Sequence, residues 1–151
     1  MDTILPHGLS VYLADDDADD RFLFEEALKE VRKNVKITML NNGEQLMKCL
    51  DQKKTNYPNL IFLDLNMPLK NGIECLDEIK KDNNLKDIPV IIFSTSNQKE
   101  TINQVYIKGA TYYMCKPDNY GKLKLLLDKV FSLDVTSSQH QPKRDDFIIS
   151  V

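Results

Sequence analysis

Three observations predict an α/β fold in which helices cover both faces of a parallel sheet. Five short apolar runs alternate strictly with five amphipathic stretches, the pattern of successive βαβ units. Two runs, 60–65 (LIFLDL) and 88–93 (IPVIIF), are apolar almost throughout, as strands buried on both faces must be. The stretches between runs are long enough for right-handed helical crossovers.

Each element follows from its own pattern. Residues 9–14 (LSVYLA) are short and rich in strand formers. Residues 18–32 place Phe24, Leu28 and Val31 on one helical stripe, with Glu25, Glu26, Lys29 and Arg32 elsewhere. Residues 35–40 alternate Val, Ile and Met with Lys and Thr, a half-buried strand, and Asn41-Asn42-Gly43 punctuates it. Residues 44–53 carry Leu46, Met47 and Leu50 at helical spacing. The strand at 60–65 is followed by a Pro/Asn/Gly loop at 67–72, then a helix over 73–82 with Ile73, Leu76 and Ile79. After the strand at 88–93 come a weaker helix over 98–108 and a short strand over 111–115. A final helix spans 120–133, striped by Leu123, Leu126, Leu127 and Val130. From Asp134 the pattern stops. Residues 134–151 read as a polar tail with an apolar end, Phe147–Val151. It is either a loosely ordered terminus or a segment whose Phe-Ile-Ile docks on this protein or a partner.

Composition narrows the function classes. With 151 residues the chain is expected to be one domain able to bury a core without staples. Its 20 Lys+Arg against 23 Asp+Glu give a net charge of −3, which argues against nucleic acid as a main partner. No apolar run approaches a membrane span, and residues 1–10 lack the basic and apolar regions of a signal peptide. Cys49, Cys75 and Cys115 are odd in number and far apart, so they read as free thiols in a reducing, cytoplasmic setting. Only His7 and His140 are present, near the ends, which weakens any histidine-based triad or metal site. Neither a GxxxxGK[ST] nor a GxGxxG loop is present for a nucleotide.

The chemistry lies at the strand ends. The first strand ends in Asp15-Asp16-Asp17, the third around Asp64, the fourth in Ser94-Thr95 and the fifth in Lys116. In an open parallel sheet, ligands bind beyond the carboxyl ends of the strands. Asp16 and Asp64 are 48 positions apart, about two βα units. The further intervals of 30 to Ser94 and 22 to Lys116 are about one unit each, so all four groups fall on one edge. Crowded carboxylates need a counter-ion, and hard oxygen ligands suit Mg²⁺. A metal-bound carboxylate flanked by an ammonium and a hydroxyl is equipped to receive a phosphoryl group as an aspartyl phosphate. Asp64, alone in an apolar strand, is the nucleophile candidate, since a lone buried carboxylate is destabilising unless paired or liganded. One of Asp15–Asp17 is expected to cap the following helix, and Asp19 and Asp20 suit its dipole. Thr95, Ser96 and Asn97 border the site, either positioning a hydrolytic water or capping the next helix.

The runs A-D-D-D (14–17), I-F-L-D-L-N-M-P (61–68), P-V-I-I-F-S-T-S (89–96) and G-A-T-Y-Y-M-C-K-P (109–117) resemble the receiver domain of two-component response regulators, the CheY-like family, over about residues 9–133. The resemblance implies a flavodoxin-like (βα)5 doubly wound sheet of order 2-1-3-4-5, with residues 1–8 an extension and 134–151 a tail. It implies Asp64 as phosphoacceptor and Asp16 as a direct Mg²⁺ ligand (Mn²⁺ being an alternative ion). Asp15 would help through water and Asn66 through its backbone carbonyl. Lys116 would pair with the phosphate, on a cis Lys116–Pro117 bond. Ser94 would be the switch hydroxyl, Thr95 a phosphate contact, and Tyr113 the aromatic whose rotamer follows the switch. The extended tail resembles stand-alone receivers paired with phytochrome-type or hybrid kinases.

The implied function is that of a single-domain response regulator, not an enzyme beyond its own phosphorylation and dephosphorylation. Its phosphodonor would be a histidine kinase or histidine phosphotransfer protein. With no effector in the chain, output would be by protein contact, including a homodimer through the helix 4–strand 5–helix 5 face near Tyr106, Tyr112 and Tyr120. Two other readings compete. A haloacid-dehalogenase-type phosphatase also uses an Asp nucleophile, but it needs D-x-D where Asp64-Leu65-Asn66 stands, and an amide cannot act as the acid/base. A degenerate receiver acting only as a binding module would lack an acid, the acceptor or the lysine, and all are present.

Overall fold

Successive residues of a strand point to opposite sides of a sheet, and here both sides are apolar. Tyr12, Ala14, Ile61, Leu63, Val90, Ile92 and Tyr113 enter one buried layer; Val11, Leu13, Leu60, Phe62, Ile91, Phe93 and Met114 enter the other. The computed structural model describes residues 8–52, 56–136 and 141–151. Its sheet comprises β1 (Leu9–Ala14), β2 (Val35–Leu40), β3 (Leu60–Leu63), β4 (Val90–Ser94), β5 (Tyr112–Cys115) and β6 (Ile148–Ile149). All neighbours are parallel, in the order β2-β1-β3-β4-β5-β6. The expected order 2-1-3-4-5 is present, extended by one strand.

The helices divide between the two layers. Leu46, Met47 and Leu50 of α2 (Gly43–Gln52), Cys75, Leu76 and Ile79 of α3 (Gly72–Lys81), and Ile102 and Val105 of α4 (Lys99–Ile107) seal the first. Phe24, Ala27 and Leu28 of α1 (Ala18–Val31) and the expected Leu123, Leu126, Leu127 and Val130 of α5 (Tyr120–Ser132) seal the second. The stripes read from the sequence therefore face inward, with Val31 and Ile73 at their half-buried margins. The cysteines are free, Cys75 buried and the other two half-buried. No helix among the described residues is long and apolar enough to cross a membrane.

Four expectations need correction. The fourth strand begins at Val90 rather than 88, because Pro89 has no N–H for the ladder; only its carbonyl takes part, accepting from Ile61 N at 3.0 Å. That strand also runs on through Ser94, whose carbonyl accepts from Lys116 N at 2.8 Å. No peptide bond among the described residues is cis, so Lys116–Pro117 is trans, the form favoured by about 0.5–1 kcal/mol before prolines. The sheet has six strands rather than five. Within the tail, a 3-10 turn over Arg144–Asp146 leads to β6, and Phe147 and Ile149 are buried. The Phe-Ile-Ile end thus docks on this protein's own surface. Lys53, His7 and His140, and most of the N-terminal extension, lie outside the described residues.

The aromatic centre of the second layer gives a direct test. Phe24 meets Phe62 edge-on at 4.8 Å between ring centroids and Phe93 at 5.6 Å. Phe24→Ala is expected to lower the unfolding free energy by about 3–5 kcal/mol. The change would be read as a fall in the urea midpoint at unchanged slope. A loss below about 1 kcal/mol would show that the layer collapses to refill the space.

Candidate functional site

Strand register brings the acids together. Ala14 pairs with Leu63 across β1 and β3, so Asp15 and Asp64 each lie one residue beyond a paired position on adjacent strands. The ladder still holds them there, with Asp64 N donating to Ala14 O at 2.9 Å and Asp15 N to Leu40 O at 3.0 Å. Asp17 does not join them. It is the N-cap of α1, its carboxylate accepting from Asp19 N at 2.9 Å and Asp20 N at 3.1 Å. Of the three consecutive aspartates, Asp15 is buried and Asp16 exposed at the rim, while Asp17 holds the helix that follows.

Lys116 reaches this edge from the end of β5. Its Nζ lies 2.8 Å from Asp15 Oδ2, 2.8 Å from Asp20 Oδ2 and 3.0 Å from Asp64 Oδ2. It also sits over the Phe93 ring at 5.4 Å. Burial alone would lower its affinity for a proton, but its contacts with Asp15 and Asp20 and the charge of Asp64 raise it above the ordinary lysine range. One ammonium cannot neutralise three carboxylates. Burial pushes the Asp15 carboxyl up to about 6, against the pull of Lys116 and of the Asp17 N–H. Asp15 Oδ2 has the ammonium at ion-pair distance yet accepts no aligned hydrogen bond, and it is the only buried side-chain polar atom among the described residues in that condition.

A hard cation would satisfy this oxygen, which the shared ammonium meets without an aligned hydrogen bond. Ligand atoms of Asp15, Asp16 and Asp64 lie within 4.8 Å of one another, an all-oxygen donor set of the kind that suits Mg²⁺ or Mn²⁺. Asn66 is exposed beside them; its N–H donates to Asp64 Oδ1 at 3.3 Å, which leaves its carbonyl free of that bond.

The remaining candidates line the β4 and β5 ends. Ser94 is fully buried, and its Oγ accepts from Ser96 N at 3.2 Å. Thr95 is exposed next to it. Neither Thr95, Ser96 nor Asn97 is the cap of α4, which is Gln98 and makes no side-chain cap bond. Tyr113 is fully buried, its hydroxyl donating to Ser96 O at 2.7 Å.

Two positions that shape the site are not singled out by the sequence patterns. Asp20 suits the helix dipole, yet it is also a direct partner of Lys116. Its signal was its place one turn into α1, four and five residues beyond Asp16 and Asp15. Gly72 is the other. A Cβ there would stand 2.2 Å from Asp64 O, so only glycine lets the start of α3 press against the Asp64 backbone. Asn71 and Glu74 then fix that helix start through a capping box.

Comparison with known proteins bears on the chain as a whole. The profile of the response regulator receiver domain matches residues 11–128. Response regulator Rcp1 of Synechocystis is 34% identical over 113 residues, covering 72% of this chain and 77% of its own. The crystal structure of the Mn²⁺-bound form of Rcp1 superposes with a TM-score of 0.77 at 30% identity, over 89% of this chain and 99% of that one. The phosphorylated cyanobacterial phytochrome response regulator RcpA gives 0.79 at 31%, over 90% and 99%.

The raised Asp15 carboxyl has a signed consequence. Its folded value, about 6, lies above the usual unfolded value of 3.8, so between those values the folded metal-free protein binds a proton that the unfolded chain does not. Stability is therefore expected to rise as pH falls from 7 towards 4, by at most about 3 kcal/mol from this group. Asp15→Asn should stabilise the metal-free protein at pH 7.5 and flatten that slope in urea titrations with EDTA. An unchanged slope would show that Asp15 stays ionised throughout.

Proposed function

Because the chain belongs to the response regulator receiver domain family, which accepts phosphoryl groups and signals by a conformational switch, we propose that Asp64 is its phosphoacceptor and Lys116 the cation that follows the transferred group. The observation that carries this is the meeting of buried Asp15 and Asp64 with half-buried Lys116 at one sheet edge, one Asp15 oxygen accepting no aligned hydrogen bond. Phosphoryl donors for this family are histidine kinases and phosphotransfer proteins, and the relatives named above include a phytochrome response regulator.

The transfer balances simply. An Asp64 carboxylate oxygen attacks the phosphorus of a phosphohistidine, the P–N bond breaks, and the imidazole leaves with the electron pair and takes a proton. A Mg²⁺ or Mn²⁺ ion held by Asp15, Asp16, Asp64 and the Asn66 carbonyl would supply positive charge to the phosphoryl oxygens. Lys116, released from Asp15 and Asp20, pairs with one of those oxygens. Ser94 Oγ gives up its bond from Ser96 N and donates to another, Thr95 lying exposed alongside. Tyr113 fills the space that Ser94 leaves. The chain catalyses no more than its own phosphorylation and the later hydrolysis of the acyl phosphate. We assign it to the cytoplasm, with residues 9–133 as the receiver unit.

Asn66 has no carboxyl for the acid/base step of a haloacid-dehalogenase-type phosphatase, and a degenerate receiver would lack one of the three groups that meet here. Self-association through the α4–β5–α5 face would have to include the tail, since Tyr106 is packed against Phe147 at 4.9 Å.

Two measurements test this reading. Incubated with Mg²⁺ and a small phosphodonor, the protein is expected to gain one acid-stable, base-labile phosphate by mass. EDTA should prevent the adduct and Asp64→Asn abolish it. Steady release from free phosphate esters through Asp64 would favour the phosphatase instead, and no adduct with any donor the binding module. Lys116→Ala is expected to bind beryllofluoride while its α4 and β5 amide shifts stay near their unliganded positions; shifts that move as in the parent protein would remove Lys116 from the switch.

A further inference from the structure

The last eleven residues behave in this fold as a bound peptide. Gln141 Nε2 donates to Tyr106 O at 2.7 Å and Ala110 O at 2.6 Å, closing over the C-terminal end of α4. Tyr106 hydroxyl donates to Pro142 O at 2.8 Å. Phe147 is fully buried, edge-on to Tyr106 at 4.9 Å and tilted against Tyr113 at 6.3 Å. Ile148 and Ile149 then pair with Tyr113 and Met114 of β5. Lys129 of α5 donates to Ser150 O at 2.7 Å. The segment thus crosses α4, β5 and α5 in turn. An aromatic anchor sits in a recess and main-chain bonds run along a sheet edge, the two elements of peptide recognition by strand addition.

Tyr113 is touched from both sides. Its N–H donates to Phe147 O at 3.0 Å and its ring abuts the Phe147 ring, while its hydroxyl donates to Ser96 O at 2.7 Å. Ser96 N in turn donates to Ser94 Oγ at 3.2 Å. Three consecutive contacts therefore join the hydroxyl at the phosphoacceptor site to the anchor of the tail. A phosphoryl group that draws Ser94 Oγ away removes the acceptor of Ser96 N, and the Ser96 carbonyl is what holds the Tyr113 hydroxyl.

We propose that the α4–β5 edge is a binding site for the chain's own residues 141–151, and that its occupancy is coupled through Tyr113 to the state of Asp64. Docked Phe147 closes the outward path of the Tyr113 ring, and the inward ring occupies the space that Ser94 vacates. Tail docking and phosphorylation then favour each other. Coupling between two sites is reciprocal, so each strengthens the other by the same factor. A released tail would uncover the β5 edge and the Tyr106–Tyr113 recess, and a docked tail withholds them. The proposal rests on the reading of Asp64 as phosphoacceptor.

Hydrogen exchange of the full-length protein, with and without Mg²⁺ and beryllofluoride, tests both halves. The Phe147–Ile149 amides are expected to be protected in the parent protein, and protected at least fivefold more once beryllofluoride is bound. Phe147→Ala should speed their exchange at least tenfold and weaken beryllofluoride binding by the factor that the ligand adds to tail protection. Gln141→Ala should move both quantities part-way, and protected β1 and β3 amides will show that either variant is folded. Exchange of the tail at free-peptide rates would overturn the docking. Protection that rises with protein concentration would place the tail on a second copy and overturn it as well. A beryllofluoride adduct at Asp64 with unchanged tail exchange would overturn the coupling and leave the phosphoacceptor reading standing. No adduct at all would overturn that reading and this inference with it.

Discussion

One lysine side chain faces three carboxylates at the C-terminal edge of the sheet, and the rest of the structure is arranged around that imbalance. Lys116 Nζ is shared by Asp15, Asp20 and Asp64, each at 3.0 Å or less. Such a cluster does not hold itself together, because like charges in a poorly solvated place repel and one ammonium is too little to offset them. It is held by the backbone. The ladder fixes Asp15 and Asp64, the Asp17 cap aims Asp20 inward from α1, and the close approach at Gly72 leaves no slack behind Asp64. The site is thereby poised for what the family does. An incoming cation would relieve the negative imbalance that folding has already imposed, and together with Lys116 it would offset the charge that a phosphoryl group adds.

The opposite demand is met at the β5 edge. A parallel sheet that ended at β5 would expose unpaired main-chain groups and the side of an aromatic layer, a template for association. Here β6 pairs with that edge and Phe147 closes the recess between Tyr106 and Tyr113. Tyr113, which pairs with Ile148 of β6, also holds the loop after β4 through its hydroxyl. The protected edge and the loop after β4 are thus joined through a single residue.

The five strands and five helices were legible in the sequence because their signals are local. A run such as IPVIIF or a stripe such as Leu123, Leu126, Leu127, Val130 specifies burial within a few residues of itself. Boundaries slipped where one residue's chemistry intervened, as Pro89 shows by refusing the first ladder bond. Asp64, Asp15 and Ser94 were legible because strand ends converge at one edge of any sheet of this class. Tyr113 stood out only through the motif around Lys116. The trans Lys116–Pro117 bond departs from what the resemblance implies, and the role of Asp20 is hidden in the sequence because it depends on a helix side chain meeting a lysine 96 positions away.

By itself, then, the sequence determined the order and type of elements, the faces they bury and the residues that could meet at the sheet edge. Hydrophobic period and strand-end placement follow from the chain's covalent geometry and need no distant partner. Only the tertiary structure decided which groups share Lys116, with Asp20 and Lys116 separated by 96 positions, and where the tail goes. The tail's Phe-Ile-Ile is apolar enough to dock on many surfaces. What selects its place is the unpaired edge of β5 and the recess between two tyrosines, features that exist only once the sheet and α4 have assembled.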